Sequence, residues 1–115
     1  MTYDHDPRTG RLTLIAPAAL AAAGITVERK AGCSWHAGKW PARVYNPSPA
    51  MVVASFFHDG RYDDAPWDAP SLARADRGFV EVYVREGGHP IIATLCWLAL
   101  RGWSIWTVWR RVKPL

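Results

Sequence analysis

The chain is organised around one short stretch, Phe56-Phe57-His58-Asp59-Gly60-Arg61-Tyr62, which closes an apolar run. Residues four apart on a helix share a face, so a helical run places His58 and Tyr62 together, with Asp59 one step round. A titratable base, a carboxylate and a hydroxyl then lie within a single turn, beside buried surface. We therefore take this stretch as the candidate site.

Two helices are predicted around it. Ser48 and Pro49 are typical of an N-cap followed by a first helical residue, and they predict a helix that ends near Tyr62. Ser71 is the expected cap of the next helix, which a glycine pair ends. Apolar residues recur along this second helix at three- and four-residue spacing, and Asp76 falls among them. A carboxylate on an apolar face is costly unless it is paired or hydrogen-bonded.

The His58 and Asp76 side chains are expected to meet between these helices. Consecutive helices joined by a short loop usually pack antiparallel, which can bring two inward-facing polar groups into contact. A buried carboxylate that holds one imidazole nitrogen fixes the tautomer and raises its basicity, and the other nitrogen can then activate water. The same contact also fits a structural hydrogen bond between helices, with Tyr62 as a third member.

Asp59 faces in a different direction, and two interpretations of it stay open. With loop carbonyls it could bind a hard cation such as calcium, which prefers oxygen ligands. It could equally be an ordinary surface aspartate near a helix end.

The fold class expected from these patterns is mainly α with a small N-terminal β element (α+β). A single domain is predicted over residues 1–115, with an N-terminal strand pair in 1–30, a loop in 31–48 and a helical core in 49–115. The alanine-rich run 18–23 is expected to form a helical turn or two, ended by a glycine.

The last helix is predicted to begin near Ile91, and Gly102 is a possible break in it. The apolar segment from Ile91 to Trp109 is nearly long enough to cross a bilayer. Arg101 lies at its middle, where insertion of a charge costs about 2.5–3.5 kcal/mol, so no transmembrane span is expected. A core helix is the default interpretation. An interfacial helix whose basic end meets anionic lipid is the alternative.

Composition narrows the class of protein. Of 115 residues, 50% are hydrophobic and 21% are charged, which is an ordinary mixture for one globular domain. The net charge of +4 suits an anionic surface without singling out nucleic acid, so nucleic-acid binding is not expected. Residues 1–13 are polar, which predicts no signal peptide, and the two cysteines are expected to be free thiols.

Three motifs in order carry a resemblance to known families. They are Gly32-Cys33-Ser34-Trp35, then His58-Asp59-Gly60-Arg61-Tyr62, then Ala75-Asp76-Arg77-Gly78-Phe79. This order resembles small prokaryotic phospholipases A2, in which a G-C-S-W-type loop precedes an H-D-x-x-Y helix and an A-D-x-x-F helix follows. It is still more similar to a phage and prophage domain family of unknown function that ends in a tryptophan-rich segment. The resemblance covers about residues 25–110.

The resemblance implies a role for each motif residue. His58 would be the general base, Asp76 would orient it, and Tyr62 would hydrogen-bond into the pair. Asp59 would be a calcium ligand, with the Gly32 loop supplying backbone oxygens. Ala31 stands where the phage family has a carboxylate, which removes one possible calcium ligand, so calcium is a cofactor only by resemblance.

Two functions follow as expectations from the resemblance. The first is a phage- or prophage-encoded, phospholipase-A2-like hydrolase of lipid esters that works at a phospholipid surface. The second is a non-catalytic virion or tail-assembly component that keeps the helix pair as a scaffold and contacts other phage structural proteins. Either would be found in the virion or the host cytoplasm.

Overall fold

Five short strands precede three helices in the computed structural model, which describes residues 1–36, 48–64 and 68–112. The side chains of residues 62–64, 107, 108 and 110–112 lie outside this description. The elements are β1 (Tyr3–His5), β2 (Arg11–Leu14), β3 (Ala18–Ala22), β4 (Ile25–Arg29), β5 (Ser34–His36), α1 (Pro49–Asp64), α2 (Ala69–Arg85) and α3 (Pro90–Val112). The predicted mixed α+β class is confirmed. Residues 1–30 contain four strands where a pair was predicted.

The loop predicted over residues 31–48 contains a strand that periodicity did not indicate. β5 pairs antiparallel with β2 in a three-stranded sheet of order β1-β2-β5, with Trp35 opposite Leu12. Trp35 is buried, and its indole Nε1 donates to the backbone oxygen of Val52 and to Ser55 Oγ, each at 3.2 Å. Burial of this one aromatic side chain against α1 fixes the strand. Residues 37–47 of the predicted loop lie outside the described residues.

The alanine-rich run forms strand β3, so the helical turns predicted for it are wrong. β3 pairs with β4 as a hairpin whose two turn residues, Ala23 and Gly24, have φ of 51° and 74°. Positive φ at both positions is the type I′ geometry that matches the twist of paired strands. An isolated helix of six residues is too short to be stable, and cross-strand pairing prevails. Gly24 is therefore a hairpin residue and not a helix end.

Helix α1 begins where the sequence predicts, and α2 begins two residues before its predicted cap. Ser48 Oγ accepts a hydrogen bond from the Met51 amide at 3.2 Å, as expected of an N-cap. The α2 cap is Asp68, whose Oδ1 accepts from the Ser71 amide at 2.8 Å. Pro70 lies in the first turn of α2, where proline is tolerated because its missing N–H has no helical partner to lose.

A close approach of α1 and α2 sets the position of the candidate site. Gly78 of α2 lies against the ring of Phe57, and a Cβ added at Gly78 would overlap that ring. Both Phe57 and its neighbour Phe56 are buried in the core shared by the helices and the sheets. The lack of a side chain at Gly78 therefore lets the two helix axes come close enough for short polar side chains to meet.

Helix α3 runs without interruption through Gly102, so the possible break at that residue does not occur. Its Ala93 and Ser104 are buried, whereas most of its large apolar side chains are exposed. Within the described part of the chain, none of the helices has the length and apolarity needed to span a membrane. The expectation of no transmembrane span agrees with this finding.

Candidate functional site

The site is a buried polar contact between α1 and α2. His58 Nε2 lies 2.7 Å from Asp76 Oδ1, and the two residues are 6% and 0% exposed. Antiparallel packing of consecutive helices produces this contact, as the spacing predicted. The ring of Phe79, one helical turn beyond Asp76, packs edge-on against the imidazole with centroids 5.9 Å apart. The imidazole is thus held by a carboxylate on one side and an aromatic ring on another.

Helix α3 supplies two further donors to the same carboxylate. Arg101 Nη1 donates to Asp76 Oδ2 at 2.9 Å, and Ser104 Oγ donates to Asp76 Oδ2 at 2.7 Å. Asp76 therefore links all three helices. Neither Arg101 nor Ser104 was predicted from the sequence to belong to the site. A signal was present for Arg101, because a lone arginine within an apolar segment needs an anion, and Asp76 was the one acid on an apolar face.

The electrostatics of the pair favour an ionised carboxylate and a basic imidazole. Burial disfavours the charged form of His58, but the carboxylates of Asp59 and Asp76 outweigh it and raise its pKa above the usual 6.5. Burial also opposes ionisation of Asp76, yet its bonds to His58, Ser104 and Arg101 hold its pKa below the usual 3.8. Since Asp76 is an acceptor, His58 Nε2 carries the proton of their hydrogen bond.

Asp59 lies on the other side of the imidazole. Its Oδ1 is 3.8 Å from His58 Nδ1, longer than a hydrogen bond, and its side chain is 48% exposed. It acts on the imidazole as a nearby charge at the protein surface. The Tyr62 side chain, expected as a third member of the network, lies outside the described residues.

The loop of the first motif reaches the same region as Asp59. Gly32 has a positive φ of 93°, and its amide donates to Leu14 O, which turns the chain into β5. Residues 33–35 and Asp59 then line one small pocket of about 10 Å³, roughly the space of one water molecule. Arg29 lines this pocket too, and its Nη2 donates to the backbone oxygen of Gly60 at 2.6 Å.

The donors that the structure describes here do not fit a calcium ion. Calcium takes six to eight oxygen ligands, several of them carboxylates. The pocket offers one carboxylate, Asp59, while the Arg29 guanidinium brings a positive charge to it. Among the described residues, no three His, Cys, Asp or Glu side chains gather as a metal site would require. Asp59 and Cys33, the neighbour of Gly32, thus line the same pocket, and the described side chains that line it offer no second carboxylate.

The arrangement has two chemical capacities. A buried, ionised carboxylate on Nε2 orients the imidazole and stabilises its protonated form, which is what a general base requires. The same set of contacts also ties three helices together through one fully buried carboxylate.

The chain was compared with protein-family models, with curated proteins and with solved structures. None of the three comparisons finds a match.

Proposed function

We propose that the chain is a phage- or prophage-encoded, phospholipase-A2-like hydrolase of lipid esters, with His58 as general base. The observation that carries this proposal is the 2.7 Å contact between His58 Nε2 and Asp76 Oδ1, made between two antiparallel helices. The contact has the orientation that a carboxylate–imidazole pair needs to accept a proton at Nδ1. Residues of the first two motifs line one small pocket, and the third motif reaches the second through the buried contact of Asp76 with His58.

In this reaction His58 Nδ1 takes a proton from water as the water oxygen attacks the ester carbonyl. The bond between the acyl carbon and the alcohol oxygen then breaks, and the imidazolium returns the proton to the leaving alkoxide. Asp76 keeps the ring oriented and stabilises the imidazolium, with Arg101 and Ser104 holding the carboxylate in place. The products are a fatty acid and a lysophospholipid.

Fatty-acid release from phospholipid vesicles tests the proposal. His58→Gln keeps an amide that can donate to Asp76 but removes the base, so it is expected to lose the activity that the wild type shows. His36→Gln is the matched control, because His36 is an exposed histidine on β5 and is not part of the pair that His58 forms with Asp76. Each protein is assayed with added calcium and with a chelator. Release by the wild type that does not exceed that of His58→Gln would overturn the proposal.

A second candidate is a non-catalytic virion or tail-assembly component. The observation that favours it is the degree of burial, since Asp76 is wholly inaccessible and His58 is 6% exposed. A polar network this well satisfied can fix the arrangement of three helices without any reaction. On this proposal the protein is found in purified phage particles, and His58→Gln lowers its stability while vesicle hydrolysis stays at background for both proteins.

A further inference from the structure

Helix α3 carries a second apolar stripe on the side that faces away from Asp76. Its positions alternate at four- and three-residue spacing, the period of a coiled-coil seam. They are Ile91, Leu95, Leu98, Gly102, Ile105 and Trp109. We call these six residues the α3 seam. The large side chains of the seam are 50% to 65% exposed.

The α3 seam lies opposite the part of α3 that packs on the rest of the chain. The buried residues of α3 are Ala93 and Ser104, and Arg101 beside them contacts Asp76. One face of α3 thus contacts the candidate site, and the opposite face carries a regular apolar stripe. An exposed apolar stripe of this length and regularity is typical of an interaction surface. The seam spans nineteen residues, so its ends are roughly 27 Å apart at a rise of 1.5 Å per residue.

The sequence of the seam is complementary to itself when two copies run in opposite directions. Three pairs of positions share one midpoint, Leu100. They are Leu98 with Gly102, Leu95 with Ile105, and Ile91 with Trp109. An antiparallel pair of helices related by a two-fold axis brings each of these positions opposite its counterpart on the other copy. Leu98 of each copy then packs against Gly102 of the other, because glycine has no side chain and leaves space for the leucine.

Charge also selects the antiparallel direction. Helix α3 contains no acidic residue. Arg101 lies at its middle and is bound to Asp76, and its other cationic positions, Arg110 and Arg111, lie in the last turn. A parallel pair would place these cations beside each other. An antiparallel pair separates the basic ends of the two helices. Each basic end then lies near the start of α3 of the other copy, which follows the exposed Glu86.

We propose that two copies of this chain associate as an antiparallel, two-fold symmetric dimer through the α3 seam. Neither the chemistry of His58 nor the proposed hydrolysis is needed for this association. The outward position of the seam leaves the contacts of Arg101 and Ser104 with Asp76 undisturbed.

Gly102 allows a specific test of the packing. A Cβ built at Gly102 has no other atom within 4 Å, so a larger side chain fits the monomer. Leucine is also a better helix former than glycine. Gly102→Leu is therefore expected to keep the fold and to weaken dimerisation at least about tenfold, because it fills the gap that Leu98 of the second copy needs.

Sedimentation equilibrium over a wide concentration range measures the association. The wild type is expected to reach twice the 12.8 kDa mass of one chain. Leu98→Arg and Gly102→Leu are expected to stay at the monomer mass at concentrations where the wild type is dimeric. Val84→Arg is the matched control, since Val84 is an exposed apolar residue on α2, and it is expected to dimerise like the wild type.

Cysteine cross-linking tests the direction, in a background that lacks the two free cysteines, Cys33 and Cys96. The double variant Leu95→Cys/Ile105→Cys is expected to form covalent dimers on oxidation. Either single variant is not, because identical positions of an antiparallel pair lie roughly 15 Å apart, beyond the reach of a disulfide.

Three outcomes would overturn the proposal. They are a monomeric wild type at all concentrations, an undiminished Gly102→Leu dimer, and cross-linking of the single cysteine variants. A monomer that binds anionic phospholipid vesicles and loses that binding in Leu98→Arg would assign the seam to a lipid surface instead.

Discussion

His58 Nε2 and Asp76 Oδ1 lie 2.7 Å apart, and through this contact α1 and α2 share a carboxylate that α3 also binds. Asp76 is wholly buried, and donors from two other helices reach its two oxygens. The geometry of the candidate site and the arrangement of the three helices therefore depend on the same carboxylate. A change at Asp76 is expected to affect both.

Asp76→Ala should destabilise the protein strongly. Removing one partner of a buried, charged network leaves the Arg101 guanidinium without its anion, which costs about 3–5 kcal/mol of unfolding free energy. Urea denaturation followed by circular dichroism measures the change. Asp4→Ala, at an exposed carboxylate of β1, is the control and should stay within about 0.5 kcal/mol of the wild type. A loss at Asp76 no larger than the control's would contradict the structural role given to this network.

Stability should fall as the pH rises through the folded-state pKa of His58. That pKa is raised above its usual 6.5, so the folded state holds the proton more tightly than the unfolded state does. The resulting stabilisation is fully present below 6.5 and is lost as the pH rises through the folded pKa. Denaturation series across this pH window measure it.

His58→Gln should flatten this pH dependence, because the variant has no titrating group at that position. The exposed His36→Gln should retain it. A pH profile of His58→Gln that still follows the wild type would mean that another group is responsible.

The helical part of the fold could be predicted from the sequence because its signals are local. Ser48 with Pro49 marks the start of α1, and apolar spacing places Asp76 on the inner face of α2. Two polar residues that face inward on consecutive helices are then expected to contact each other. The contact between His58 and Asp76 follows from these facts without any knowledge of the third helix.

Strands β3 and β5 and the contacts of α3 could not be predicted, because they depend on residues that are far apart in the sequence. The strand at Ser34–His36 exists because Trp35 packs under α1, and no pattern within three residues can show this. The alanine run has helical propensity, which the turn at Ala23-Gly24 and the pairing with β4 override. Arg101 and Ser104 join Asp76 from 25 and 28 positions away, on a helix whose apolar sequence suggested a core or membrane-surface role.

Gly78→Ala should destabilise the protein even though alanine is the better helix former. The added methyl group would overlap the ring of Phe57, and overpacking of a core contact typically costs about 1–3 kcal/mol. Gly102→Ala is the matched control, because the same change on α3 meets no atom within 4 Å and should stabilise the helix by up to about 1 kcal/mol. Both are measured by urea denaturation at a concentration low enough to keep the chain monomeric. Equal effects of the two changes would argue against the close approach of α1 and α2.

Ala23→Asn should stabilise the hairpin of β3 and β4. Ala23 has a φ of 51°, a left-handed conformation that costs most residues about 1–2 kcal/mol and that asparagine tolerates. Asparagine followed by glycine is also the preferred pair for a type I′ turn, so a gain of about 0.5–1 kcal/mol is expected. The Ala23 amide donates to Glu81 Oε2 at 2.6 Å, and this bond to α2 survives because it uses the backbone.

Ala19→Asn is the control for this change. Ala19 is exposed in the middle of β3, opposite Glu28, where the backbone is extended. Asparagine is depleted in strands, so this variant should be neutral or slightly less stable than the wild type. Thermal denaturation of both variants beside the wild type makes the comparison. If Ala23→Asn lowered the midpoint as Ala19→Asn does, the turn would not have the left-handed geometry that makes the alanine run a strand, and the helical interpretation of that run would return.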